Sequence, residues 1–167
     1  MDSTTQIQFI RIAQADHEII TRIMENSHRL FAGERPPNAP ELYSNLQQLL
    51  TVKILEHFAF EEKHVFPQLL AGKTDSRVVN LVAELLLEHP AMVTVVQQLG
   101  AQIYQRDLTD CTDEIWEGIM EFLSDMHTHA TKENRLYQLV LETAATSVAE
   151  ISAQARWMRD GGAPLLN

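Results

Sequence analysis

Six residues carry the chemistry open to this sequence: His17, His57, Glu61, His89, His129 and Glu133. Each interrupts an otherwise apolar seam, and imidazole combined with carboxylate is a ligand set for divalent or trivalent cations. Their spacing is ordered: position 89 lies 72 residues after 17, 129 lies 72 after 57, and 133 lies 72 after 61. Each half of the chain therefore supplies a lone His and then a His-x-x-x-Glu, whose separation of four puts both side chains on one helical face. Burying these groups costs on the order of several kcal/mol per uncompensated charge. A pair of cations offsets that cost. The two-fold pattern gives His17 and His57 to one ion and His89 and His129 to the other, with Glu61 and Glu133 as bridges. Iron, manganese or zinc suit these donors, and two bridges leave open positions for a small exogenous ligand.

The elements that must position these residues are helices. Apolar residues recur at alternating steps of three and four in four stretches, about 4–31, 40–71, 76–105 and 111–142. The first seam reads Ile10, Ala13, His17, Ile20, Met24 and Phe31, and the second Leu46, Leu50, Ile54, His57, Glu61 and Val65. The third reads Val82, Leu86, His89, Val93, Val96 and Ile103, and the fourth Ile115, Ile119, Phe122, Met126, His129, Glu133 and Leu136. Breakers separate them at 33–40, 72–75 and 107–110, each short enough to make neighbouring helices antiparallel. The expected fold is all-α, an up-down-up-down four-helix bundle over about 4–142 in a single domain, 1–167. Ser147 and Glu150 have the form of a capping box, which predicts a short extra C-terminal helix over about 148–159. That helix could pack on the bundle or make a homo-oligomer. Pro90 should kink the third helix beside His89.

In such a bundle, residues at one height lie symmetrically about the intervening turn. The midpoints of 17 and 57, of 57 and 89, and of 89 and 129 are 37, 73 and 109, all within the expected loops. The four histidines thus share one level, roughly 20 Å from either end at about 1.5 Å rise per residue.

Composition narrows the classes. Cys111 is the only cysteine, which excludes an internal disulfide, a zinc finger or an iron–sulfur cluster. A net charge of −10 without a basic stripe argues against nucleic acid. No run is read as long enough to span a bilayer, and residues 1–6 lack a signal-peptide pattern, so a cytoplasmic location is expected. His28 and His127 have no histidine partner 72 residues away and read as solvent-facing, as do Lys53 and Asp125. His64, three residues past Glu61, is a candidate for the rim of the site. No residue stands out as a dedicated acid or base.

The order lone His, His-x-x-x-Glu, lone His, His-x-x-x-Glu resembles the hemerythrin-like family of HHE cation-binding domains over about residues 1–142, and Glu61-Glu62 followed by Val65-Phe66-Pro67 is similar to its first-half signature. The second half departs, with Glu133-Asn134 and Tyr137-Gln138. Oxygen-carrying members place a further His four residues after the third helix's ligand, where this chain has Val93. The resemblance implies a four-His, two-Glu di-iron centre that binds or reacts with oxygen, nitric oxide or peroxide, in sensing, stress response or repair of iron centres. Repair proteins of this kind usually carry a cysteine-bearing N-terminal domain, and none is expected within these 167 residues. A metal-stabilised interaction module is the alternative. Ferritin-like bundles are a rival fold, since Glu25/His28 and Glu61/His64 have their Glu-x-x-His spacing.

Overall fold

The computed structural model describes residues 3–31, 36–71 and 75–159, and the described residues are helical apart from short connections, with no strand among them. Helix α1 spans Ser3–Phe31. A second rod follows as α2 (Ala39–Gln48), α3 (Ile54–Phe60) and α4 (Phe66–Leu69), joined by two π-helical turns, Leu49–Lys53 and Glu61–Val65. Helix α5 covers Ser76–Ile103, a 3₁₀ turn Leu108–Asp110, and α6 Asp113–Arg159.

Local chemistry accounts for these limits. Pro40 occupies the first turn of α2, where its missing N–H is not needed. Asp75 caps α5 by accepting from the Arg77 N–H at 2.8 Å. At the first π turn the Ile54 N–H reaches back to the Leu49 carbonyl, and at the second the Phe66 N–H reaches back to Glu61, each a span of five residues. Pro67 follows with no N–H to give, so the ladder has no four-residue bond to resume there. Gly100 lets α5 press on the first π turn, because a Cβ at that position would sit 2.9 Å from the Leu50 carbonyl oxygen.

Two apolar clusters fill the interior. One joins Ile20, Leu46, Leu50, Ile54, Val96, Ile103, Ile119 and Phe122 among others. The second joins Ile10, Ala13, Val65, Phe66, Val82, Leu85, Leu136 and Tyr137. The six polar seam residues sit between these cores.

The structure differs from expectation in three places. The separate helix at 148–159 is not seen, because α6 runs unbroken over Asp113–Arg159. No Gly or Pro interrupts 143–147, and Thr143 and Thr146 bond back to the carbonyls of Leu139 and Glu142, which seats them inside a helix. Leu86 is 39% exposed and Leu85 takes its place in the core, since three consecutive leucines leave the seam's phase ambiguous. Pro90 lies inside α5, on its exposed side, and the helix continues past it to Ile103. Finally, α5 does have the length and apolarity of a membrane span, contrary to the sequence reading. Glu88 and His89 are its only acidic or basic residues from Leu85 to Ile103, and its inner face, including Val82, Leu85 and Val96, is packed in the core. Phe31, a seam residue, has a side chain outside the described residues.

Candidate metal centre

Each rod delivers its share to one buried cluster: His17 from α1, His57 from α3, Glu61 from the start of the second π turn, His89 from α5, and His129 and Glu133 from α6. All six are at most 6% exposed, and Glu61, His89 and Glu133 are fully buried. The Nε2 atoms pair at 3.0 Å for His17 and His57 and at 3.1 Å for His89 and His129. The carboxylates lie between the pairs. Glu61 turns Oε1 toward His57 (3.6 Å) and His17 (4.0 Å) and Oε2 toward His89 (3.7 Å). Glu133 turns Oε2 toward His17 (2.7 Å) and His57 (4.0 Å), and Oε1 toward His129 (2.8 Å) and His89 (3.9 Å).

This crowding does not satisfy the groups that make it. Glu61 Oε2 and both oxygens of Glu133 lack an aligned hydrogen-bond donor, although imidazole nitrogens stand close to each of them. Buried polar atoms are normally paired. Here the nitrogen and oxygen lone pairs converge on two common centres, and two groups of four residues, His17/His57/Glu61/Glu133 and Glu61/His89/His129/Glu133, place one donor atom each within 4.8 Å of one another. Imidazoles and carboxylates at that separation fit metal cations, which resolve the unpaired atoms and the buried charge together.

The electrostatics of the cluster also reflect its crowding. Burial, reinforced by the neighbouring charge of Glu133, pushes Glu61 well above the usual carboxylate range. Burial opposes ionisation of Glu133 too, but the surrounding imidazoles, His129 foremost, hold it well below that range. Burial disfavours charge on His57, yet Asp16, Glu133 and Glu61 together lift it to about 10.

Sequence reasoning missed the residues around this cluster. Glu62 meets Nδ1 of His89 at 2.9 Å and Glu88 meets Nδ1 of His129 at 2.8 Å, while Lys132 is paired with the other oxygen of Glu88. Tyr137 donates its hydroxyl to Glu61 Oε1, and its ring stacks near His17 at 6.1 Å. Phe58 stacks on His89 at 4.3 Å and meets His129 edge-on. One signal was legible for Glu88: it stands 72 residues after Asp16, the repeat of the central residues.

The other candidates lie elsewhere. His64 packs between Phe9 and Phe60 and is in neither group of four. His28, His127 and Asp125 are exposed, and Lys53 shares a groove with Asp16 and His57. Glu25 and His28 are both on the surface, which removes the ferritin-like pattern.

Neither the curated proteins nor the solved structures compared with the chain gave a match. A family model did: the hemerythrin HHE cation-binding domain matches residues 8–150, which include all six clustered residues. Domains of this type bind metal cations, and the buried His/Glu groups described above could hold one. The chain belongs to the hemerythrin HHE cation-binding family.

Proposed function

We propose that this chain is a non-haem di-metal protein, with iron as its metal, that binds or reacts with oxygen, nitric oxide or peroxide in sensing or in stress response and iron-centre repair. The observation that carries this reading is the pair of buried carboxylates, each turning one oxygen to each imidazole pair. His17 and His57 would hold one ion, His89 and His129 the other, and Glu61 and Glu133 would bridge them. Manganese or zinc fit the same donors. When bound, two irons supply electrons and open coordination positions to a small ligand.

The chain's own residues prepare that chemistry. Glu62 and Glu88 hold the Nδ1 sides of His89 and His129, which leaves each Nε2 lone pair facing inward. Tyr137 fixes Glu61 by its hydroxyl and keeps a proton beside the carboxylate, since burial and the nearby Glu61 and Glu133 push its own ionisation far up. Ile20, Phe122 and Met126 are buried and Met24, Phe60 and Met92 half-buried on the seam, and together they limit water at the centre.

The rest of the reading concerns setting. The cores on either side of the site fit up-down-up-down rods in a single domain, and the length of α6 leaves its C-terminal part as a surface for a homo-oligomer. A net charge of −10 disfavours nucleic acid as a partner, and a cytoplasmic setting without a membrane partner completes the reading.

The test is metal analysis followed by anaerobic reduction and separate additions of oxygen, nitric oxide and peroxide under ultraviolet-visible observation. About two irons per chain and new ligand-dependent bands are expected. Reversible oxygen bands would favour binding or sensing, and peroxide turnover or irreversible nitrosylation would favour stress chemistry. Less than about one metal per chain after expression with ample iron contradicts the proposal.

A further inference from the structure

The groups that hold the four imidazoles repeat at the same spacing of 72 but not with the same chemistry. Asp16 is equivalent to Glu88, and Asn134 to Glu62. Glu88 and Glu62 reach Nδ1 of His129 and His89 at 2.8 and 2.9 Å. Asp16 is one methylene shorter, and its Oδ2 stops 3.8 Å from Nδ1 of His57, beyond hydrogen-bond length. Asn134 is uncharged and exposed, and it lines a groove with His17, whose buried Nδ1 has no partner. Both changes fall on one half of the centre.

A carboxylate on Nδ1 fixes the tautomer, orients the ring and raises the basicity of Nε2, and losing such a partner typically costs 10–100-fold in metal affinity. Two surface grooves reach the His17/His57 pair. The groove with Asn134 and Arg22 reaches His17, and a second, between Asp16, Ile19 and Lys53, reaches His57. His89 is 0% exposed and sandwiched by Phe58 and Phe66.

We infer that the centre is built with unequal ends: the His89/His129 end takes and holds the first ion, whereas the His17/His57 end takes a second ion more weakly. Glu62 and Glu88 are positioning residues for the tight end. Asp16 and Asn134 are what make the other end labile. This rests on the metal-centre reading above.

The test is calorimetric titration of the full metal-free chain with Co(II), with the visible absorption of the bound ion recorded in parallel. Two steps separated by about 10–100-fold are expected. Asp16→Glu with Asn134→Glu should tighten the weaker step, and Glu62→Gln with Glu88→Gln should weaken the tighter one. Two steps of equal affinity in the unmodified chain overturn the inference while leaving the metal centre intact, and that arm depends on no variant. Absence of any Co(II) binding sinks the metal centre and this inference with it.

Discussion

The His89/His129 pair and the His17/His57 pair share a pattern of residues and a separation of Nε2 atoms, 3.1 against 3.0 Å, and differ in what stands behind them. Behind the first pair are two carboxylates in hydrogen-bond contact and two phenylalanine rings. Behind the second are a carboxylate that falls short, a neutral amide across a groove, and the Tyr137 ring. The six central residues alone therefore make the site look symmetric. Its symmetry is broken one layer further out, by a methylene at position 16 and a charge at position 134.

The largest effect tests what the two halves share. Glu133→Ala removes an oxygen from each pair at once, and metal content measured by mass spectrometry should fall from about two ions per chain to a small fraction of one. Retention of a single ion would show that Glu133 serves one half only. Next come changes confined to a half. His17→Ala should still bind about one ion, at near-normal affinity, whereas His129→Ala should lose the tighter site and bind its remaining ion weakly. Equal damage from the two variants would erase the contrast between the ends.

A smaller effect is expected from Tyr137→Phe, since Tyr137 has no counterpart in the other half, where the equivalent residue is Val65. Losing a hydroxyl that donates to a buried carboxyl leaves that oxygen unsatisfied and costs about 1–3 kcal/mol, or roughly 2–12 °C in Tm for a chain of this size. A Tm within about a degree of the parent would show that Glu61 needs no such anchor. The smallest effect lies at the junction between halves. The Arg77 side chain and backbone N–H hold the exposed Asp75 carboxyl below its usual range. Its contribution is present above the unfolded pKa of about 3.9 and is lost as pH falls through the lower folded value. Asp75→Ala should therefore lower Tm slightly near neutrality, without moving either metal affinity.

Much of the interior was legible in the sequence because periodic burial is a strong constraint. Every residue named on the second and fourth seams is buried. The π turns were hidden in that second seam, although its steps of four, four, three, four and four run longer than an α-helix sustains. An extra residue per π turn absorbs the excess. What the sequence did not yield is the environment of the cluster. Glu62, Glu88 and Asp16 look like ordinary helix-surface carboxylates until the rods are packed, because their partners lie 27, 41 and 41 residues away in the chain. The unbroken course of α6 was missed for a different reason: a capping-box pattern marks a helix start only where the preceding residues leave the helix, and Thr143 and Thr146 remain in it.

The shared carboxylates also bear on how the chain folds. Glu61 belongs to the first half and Glu133 to the second, yet each faces both imidazole pairs. Neither half can then complete a four-donor pocket by itself, and metal recruited early finds only fragments of one. A filled site acts as a clasp that closes the chain between residues 17 and 133. Loop-closure entropy grows only logarithmically with the length enclosed, so this long-range closure costs little more than a short one. A metal held there would tie the docking of the two halves to metal supply.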